Sequence, residues 1–240
     1  MSPNFLGLPS ELRNRIYELV LVRQDRIEPL PKFKPPQKFS PGLFRTNKII
    51  HQEATSLFYA QNCFDFCLGT AKDVISFLDQ IGRMNAGYIH SIYIDFPLFE
   101  SLDADHVVLR AHSIRILEKI QSECGNLRTL SMMCTDNDFG ECDITNSCNP
   151  DFVDKALRLV DTRCRAISSL REINVVIFRY FPYEHIDEEM KNLGWTITFE
   201  VDEWEDEYPS DGYSEISDSD HLSFNSEDDY DIDSLFTLAI

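Results

Sequence analysis

The most sharply patterned stretch of the chain is its beginning. Leu8, Leu12, Ile16 and Leu19 follow the i, i+4, i+8, i+11 spacing of one helical face, with Tyr17 and Val20 widening it. Arg13, Asn14, Arg15 and Glu18 fall on the other side. Pro9 suits the first helical position, where its missing N–H costs nothing, and Glu11 in the first turn meets the positive end of the helix dipole. The pattern predicts a short amphipathic helix whose apolar face needs a partner, inside this chain or outside it.

Prolines 29, 31, 35 and 36 forbid both a helix and a paired strand, so residues 28–39 read as an extended basic loop, packed locally through Phe33 and Phe39. Ser40-Pro41 then opens a second helix, with Leu43, Asn47, Ile50, Ala54 and Leu57 on one long face and Phe44 and Phe58 beside it. That helix should stop near Asn62, and the period-2 alternation of Cys63 to Cys67 reads as a strand.

A helix–strand rhythm follows. Helices are expected over Lys72–Ile81, closed by Gly82, then over Val107–Cys124, Pro150 to about Cys164, and His185–Leu193. Strands are expected at Ile89–Phe96, Leu127–Met133, Leu170–Ile177 and Trp195–Phe199. Three of the strands share an apolar pattern: Ile89/Ile92/Ile94, Leu127/Leu130/Met132 and Leu170/Ile173/Val175, offset by 38 and 43 residues. One helix per period predicts an α/β fold, a degenerate parallel βα repeat with right-handed crossovers, either leucine-rich-repeat-like or a small open parallel sheet. The layout is a helical segment at 1–62, an α/β repeat region at 63–200 and a tail at 201–240.

Charge separates the tail from the rest. The net charge of −19 is divided unevenly: residues 1–60 carry nine Lys/Arg against five Asp/Glu, residues 61–200 carry 13 against 22, and residues 201–240 carry none against 14. With acids interleaved among Trp204, Tyr208, Tyr213 and Phe224 and no cation to offset them, the tail is expected to be disordered. Ser217 and Ser226 each have an acid three residues on, the spacing that acidophilic kinases prefer. The balance of charge gives no footprint for nucleic acid, and no apolar run approaches the roughly 20 residues that span a bilayer. Seven cysteines, none in a Cys-x-x-Cys pair, and no secretory signal pattern predict reduced thiols in an intracellular protein, cytoplasmic or nuclear.

Candidate chemistry is sparse. There is no G-x-S-x-G, no glycine-rich phosphate loop and no His-Glu-x-x-His among these residues. Asp103, Asp105, His106 and His112 offer oxygen and imidazole ligands, but read more simply as a polar loop entering a helix. His51 and Glu53, two apart on a helix, point in different directions. Cys63 and Cys67 lie about 13 Å apart along a strand and cannot close one metal site, and Cys134, Cys142 and Cys148 are loosely spaced. No catalytic residue, metal ligand or cofactor is assigned, and a non-enzymatic protein is expected.

Two separated blocks carry a family resemblance. Leu8-Pro9-Ser10-Glu11-Leu12-Arg13-Asn14-Arg15-Ile16-Tyr17-Glu18 resembles the opening of the F-box, in the form seen in F-box-like proteins of filamentous fungi. The second block runs Leu43-Phe44-Arg45-Thr46-Asn47-Lys48-Ile49-Ile50-His51-Gln52-Glu53-Ala54, then Leu57-Phe58-Tyr59-Ala60-Gln61-Asn62-Cys63-Phe64. It is similar to the stretch that follows in that family, as are Phe77-Leu78, Ile81-Gly82 and Ile89/Ile92/Ile94. The resemblance covers about residues 5–96.

The resemblance implies an F-box-like helical segment at 1–62 that docks a Skp-type adaptor of cullin–RING ubiquitin ligases through Leu8, Pro9, Glu11, Leu12, Ile16 and Tyr17. It also implies a downstream α/β region that recognises a protein target. Two departures are plain: the proline-rich stretch interrupts the F-box, and its late Trp is replaced by the region Leu57-Phe58-Tyr59. The alternative is a structural or interaction protein in which the two blocks pack onto the α/β region as fold core, with no ligase link. Exposure of Leu8, Pro9, Leu12 and Ile16 distinguishes the two.

Overall fold

Ile92, Leu130 and Ile173, the middle apolar positions of the three repeats, stand side by side on adjacent parallel strands. Ile94, Met132 and Val175 form the next row in the same register. The period read from the sequence is therefore the period of the sheet.

The computed structural model describes residues 4–29, 41–67, 69–103, 106–135, 150–178 and 184–200. The acidic tail, the proline-rich loop from residue 30 onward, Asp105, Cys142 and Cys148 lie outside the described residues. The helices are α1 (Ser10–Leu21), α2 (Lys48–Gln61), α3 (Ala71–Ala86), α4 (Ala111–Glu123), α5 (Pro150–Arg165) and α6 (Glu184–Asn192). The strands are β1 (Cys63–Asp65), β2 (Ser91–Asp95), β3 (Phe99–Asp103), β4 (His106–Leu109), β5 (Thr129–Cys134), β6 (Glu172–Phe178) and β7 (Thr196–Glu200). Short 3-10 turns at Phe5–Gly7 and Pro41–Arg45 precede α1 and α2.

The main sheet has the order β1-β2-β5-β6-β7, every pair parallel, so the chain is mixed α/β. Spatial order follows chain order, and right-handed crossovers then bring each helix to the same face. The core lies between the sheet and that helix layer. Phe64 of β1 packs its ring against Phe58 of α2 at 5.8 Å and Phe77 of α3 at 5.9 Å, and the whole row Ile92, Leu130, Ile173 is buried. With these crossovers right-handed, the described residues place no helix on the opposite face.

The sheet extends one bridge position beyond β1, which the alternation of Cys63–Cys67 does not suggest. Ile27 forms an isolated parallel bridge to Phe64, its N–H donating to the Cys63 carbonyl and its carbonyl accepting from the Asp65 N–H, both at 2.8 Å. Hence α1, the Ile27 bridge, α2 and β1 repeat the same helix–strand alternation as the rest of the chain. In that series α1 is the terminal helix of the layer.

Three expectations are corrected. The second helix does not run unbroken from Pro41: the Asn47 side chain accepts from the N–H groups of Ile49 and Ile50 and starts α2 at Lys48, because an Asn at this point competes for the backbone as a cap. The expected helix from Val107 begins only at Ala111; Val107 to Leu109 pair with Phe99–Leu102 in an antiparallel β3–β4 hairpin inserted between β2 and α4. Pro9 stands just before α1 as its N-cap residue, with Ser10 first in the helix. Gly82 stops the regular part of α3 as expected: its φ of 75° and ψ of 158° lie where side-chain-bearing residues are strained. Among the described residues no helix is long and apolar enough to cross a membrane.

Candidate functional site

Helix α1 lies on α2 with Arg13 and Tyr17 turned inward. Arg13, Tyr17 and Leu21, spaced by four, form the inner stripe, and Tyr17 and Leu21 are fully buried. The Glu53 carboxylate on α2 receives both polar members of that stripe. Arg13 donates to it through Nε at 2.9 Å and through Nη2, and the Tyr17 hydroxyl donates to Oε2 at 2.9 Å. Arg13 Nη1 also donates to the Leu8 carbonyl at 2.6 Å, tying the chain before the helix to the same cluster.

The electrostatics follow from these contacts. The hydrogen bond from Arg13, supported by that from Tyr17, holds the Glu53 carboxyl below its ordinary value, and the same carboxylate raises Arg13. Burial first, and the bond to Glu53 second, push the Tyr17 hydroxyl up to about 12. All three groups therefore keep their pairing charge states through the neutral range.

Asn62 closes the other end of the helix pair. Its side-chain amide donates to the carbonyls of Leu21 and Phe58, at 3.0 and 2.8 Å, and its oxygen accepts from the Arg23 N–H at 2.9 Å. One buried side chain thus serves the C-terminal ends of both α1 and α2, which otherwise leave carbonyls unpaired.

Turning Arg13 and Tyr17 inward turns the apolar stripe outward. Leu12 is 53% exposed, Ile16 38%, Leu19 73% and Val20 50%. Pro9 and Glu11 are exposed beside them, and Leu8 is half-buried. Of the six residues implied for adaptor docking, five thus lie at the surface wholly or in part; Tyr17 lies inside, bonded to Glu53. On α2, Ile49 is also exposed, at 54%.

Elsewhere several chemistry-bearing residues have structural roles. Ser113 Oγ, at the start of α4, accepts from the Leu98 N–H at 3.1 Å and lies 3.3 Å from His112 Nε2. These two residues line a cavity of about 30 Å³ with Phe66, Asp95 and Phe96, at the carboxyl ends of β1 and β2 where open α/β sheets hold ligands. A cavity of that volume has room for water molecules and not for a drug-sized ligand. His106 sits on β4 at the surface, apart from His112 on α4. His51 Nδ1 is 2.9 Å from the Phe44 carbonyl, while Glu53 serves Arg13 and Tyr17, so the two have separate duties. The thiols of Cys124 and Cys164 are buried, and burial pushes both up to about 12, far from the thiolate form a nucleophile needs. Among the described residues no three His, Cys, Asp or Glu side chains are grouped to hold a metal ion.

The sequence pattern did not single out Arg13 and Glu53 as partners. Amphipathic reasoning sends charged residues to solvent, and Arg13 was placed with Asn14 and Arg15 on the outer face. The signal available was the shared spacing of Arg13, Tyr17 and Leu21, together with an isolated acid facing them in the second block.

No family model, curated protein or solved structure matches the chain significantly.

Proposed function

We propose that the chain is a non-enzymatic protein-interaction module of the F-box-like kind, in which α1 docks a Skp-type adaptor of a cullin–RING ubiquitin ligase. The α/β region, read as leucine-rich-repeat-like, presents a protein target to that ligase. The observation that carries this reading is the outward stripe Leu12, Ile16, Leu19 and Val20, on a helix whose orientation is held by the Arg13–Glu53–Tyr17 contacts. A contiguous apolar stripe facing water marks an interaction surface. In helix-in-groove recognition such i, i+4, i+7 side chains are the anchors.

The second reading, that the two motif blocks serve only as fold core, is favoured by the burial of Tyr17 and Leu21 and by the Asn62 clasp. One experiment separates the two. Full-length protein carrying Leu12→Asp is compared with the native chain for co-purification with a Skp-type adaptor, alongside its melting temperature. The adaptor reading expects capture to be lost with the melting temperature unchanged. Native protein that fails to retain the adaptor at full expression overturns it in favour of the core reading.

A further inference from the structure

The face of the main sheet opposite the helices has a charge pattern of its own. Side chains alternate along each strand, so the neighbours of the buried rows point to this open face. Because Ile27 pairs with the buried Phe64, Arg26 and Glu28 belong to the open face as well. Among the described strand positions its charged residues are then Glu28, Asp65, Asp95, Glu172 and Glu200, with Arg26 the basic one. The parity is checked by contacts: Thr129 donates to Glu172 across adjacent strands, and Arg26 lies over Tyr93 of β2.

Arg26 shows how this face holds a cation. Its guanidinium carbon is 3.7 Å from the centroid of the Tyr93 ring. Nη2 meets Glu200 Oε1 at 3.1 Å, and Nη1 lies 3.9 Å from Asp65 Oδ2. An aromatic face flanked by carboxylates is a strong seat for a guanidinium. The ion pair also joins opposite edges of the sheet, since Ile27 extends the β1 edge and Glu200 ends β7. Strands about 4.8 Å apart would leave these edges far beyond side-chain reach on a flat sheet, so the open face curves toward itself around Tyr93.

The seat is incomplete. Tyr93 is buried at 1% exposure, yet its hydroxyl has no hydrogen-bond partner. Native structures rarely leave a buried hydroxyl unpaired, and an acceptor or donor brought by a ligand completes such a site. Crowding of like charge is also visible: burial, with a contribution from Glu28, raises the Asp65 carboxyl, against the lowering effects of the Cys67 N–H and Arg26.

We propose that the open face binds an extended, Arg- or Lys-bearing segment of a partner protein, one of whose basic side chains takes the place of Arg26 over Tyr93 between Asp65 and Glu200. In the free chain Arg26 fills that seat in cis. The partner's backbone, running across the face, supplies the group that pairs with the Tyr93 hydroxyl. This inference stands apart from the adaptor reading, because α1 takes no part in it.

The test uses full-length protein and a fluorescent oligo-arginine peptide, with affinity read by anisotropy at low ionic strength and folding checked by melting temperature. Asp65→Asn and Glu200→Gln are each expected to weaken binding by about threefold or more, the scale of one charge-assisted contact at a partly exposed site. Arg26→Ala is expected to tighten it by about fivefold, more than the charge-matched control Arg15→Ala, because it empties the seat. Tyr93→Phe keeps the ring and removes the hydroxyl, and is expected to weaken binding by about threefold. Glu205→Gln removes the same single charge from the tail and is expected to change little. Leu12→Asp is expected to leave peptide affinity unchanged, so this proposal and the adaptor reading fail separately.

Affinity that tracks net charge alone, with the tail variant as weak as the Asp65 and Glu200 variants, overturns the proposal. So does native affinity in Tyr93→Phe or equal effects of Arg26→Ala and Arg15→Ala. Binding seen only after Lys32, Lys34 and Lys38 are replaced by Ala assigns the face to the chain's own basic segment and also overturns it.

Discussion

The Tyr17 hydroxyl donates to the Glu53 carboxylate at 2.9 Å, and this bond helps decide which side of α1 meets solvent. A helix with the apolar stripe Leu12, Ile16 and Leu19 would ordinarily bury it. Here the inward side is Arg13, Tyr17 and Leu21, and the acid on α2 makes that arrangement favourable by accepting from two donors at once. Removing Glu53 should therefore cost more than an average surface change. Glu53→Ala leaves a guanidinium and a buried phenol without their acceptor, and the expected loss is about 1–3 kcal/mol in urea unfolding. Glu53→Gln, which retains one acceptor oxygen, should lose less. An Ala variant as stable as the native chain would show that packing at Leu21 alone fixes α1.

The same carboxylate sets a pH dependence with a definite sign. Glu53 has a folded value depressed by Arg13 and Tyr17, so its stabilisation is fully present above the unfolded glutamate value and is lost as pH falls through the folded one. The unfolded value is about 4.3. The stability gap between native protein and Glu53→Gln is thus expected to be constant from pH 7 to about 5 and to narrow below about 4. Urea midpoints for the pair at several pH values measure it. Asp65 has the opposite sign: its raised folded value means that ionisation costs stability at neutral pH and that protonation relieves the cost. Asp65→Asn should stabilise near pH 7, and its advantage should vanish in acid.

Asn62 makes a separate prediction about the helix ends. It is 1% exposed and bonds the carbonyls of Leu21 and Phe58 and the N–H of Arg23. Asn62→Ala strands these three backbone groups where water reaches poorly, an expected loss of about 1–3 kcal/mol or more. Asn62→Asp keeps the acceptor for Arg23 but removes both donations, so it should not restore stability. Circular dichroism melts of the two variants check this.

What could be read in advance depended on whether a residue's fate was decided locally. Ile92, Leu130 and Ile173 repeat an apolar pattern at offsets of 38 and 43 residues, with one helix in each interval, and a parallel sheet in chain order accommodates such a repeat. Gly82 and Gly194 stop helices through their own φ values of 75° and 80°, a purely local property. The β3–β4 hairpin was hidden because Val107, Val108 and Leu109 continue directly into the apolar positions of α4, and no turn residue separates strand from helix at Arg110. The Ile27 bridge was hidden because a single paired residue has no period. Arg13 escapes the pattern for a third reason: its environment, like that of Tyr17, is made by Glu53, 40 and 36 residues away, and no spacing within α1 reports it. The candidate docking stripe was legible as an apolar stripe; its direction was a tertiary fact.

The kink in α3 provides the last test, because it isolates backbone conformation from packing. Gly82 combines φ 75° with ψ 158°, a region open almost only to glycine, and a Cβ added there would meet nothing within 4 Å. Any loss on substitution therefore reports strain rather than a clash. Gly82→Ala is expected to cost about 1–3 kcal/mol. Gly87→Ala, at φ −65° but with the Arg83 carbonyl 3.2 Å from the added Cβ, tests the reverse case, a mild clash without strain. If α3 holds its present course, unfolding midpoints should fall further for Gly82→Ala than for Gly87→Ala. The opposite order would mean that the chain around Arg83 relaxes into a continuous helix, with Ile81 and Ala86 forced to repack beneath it.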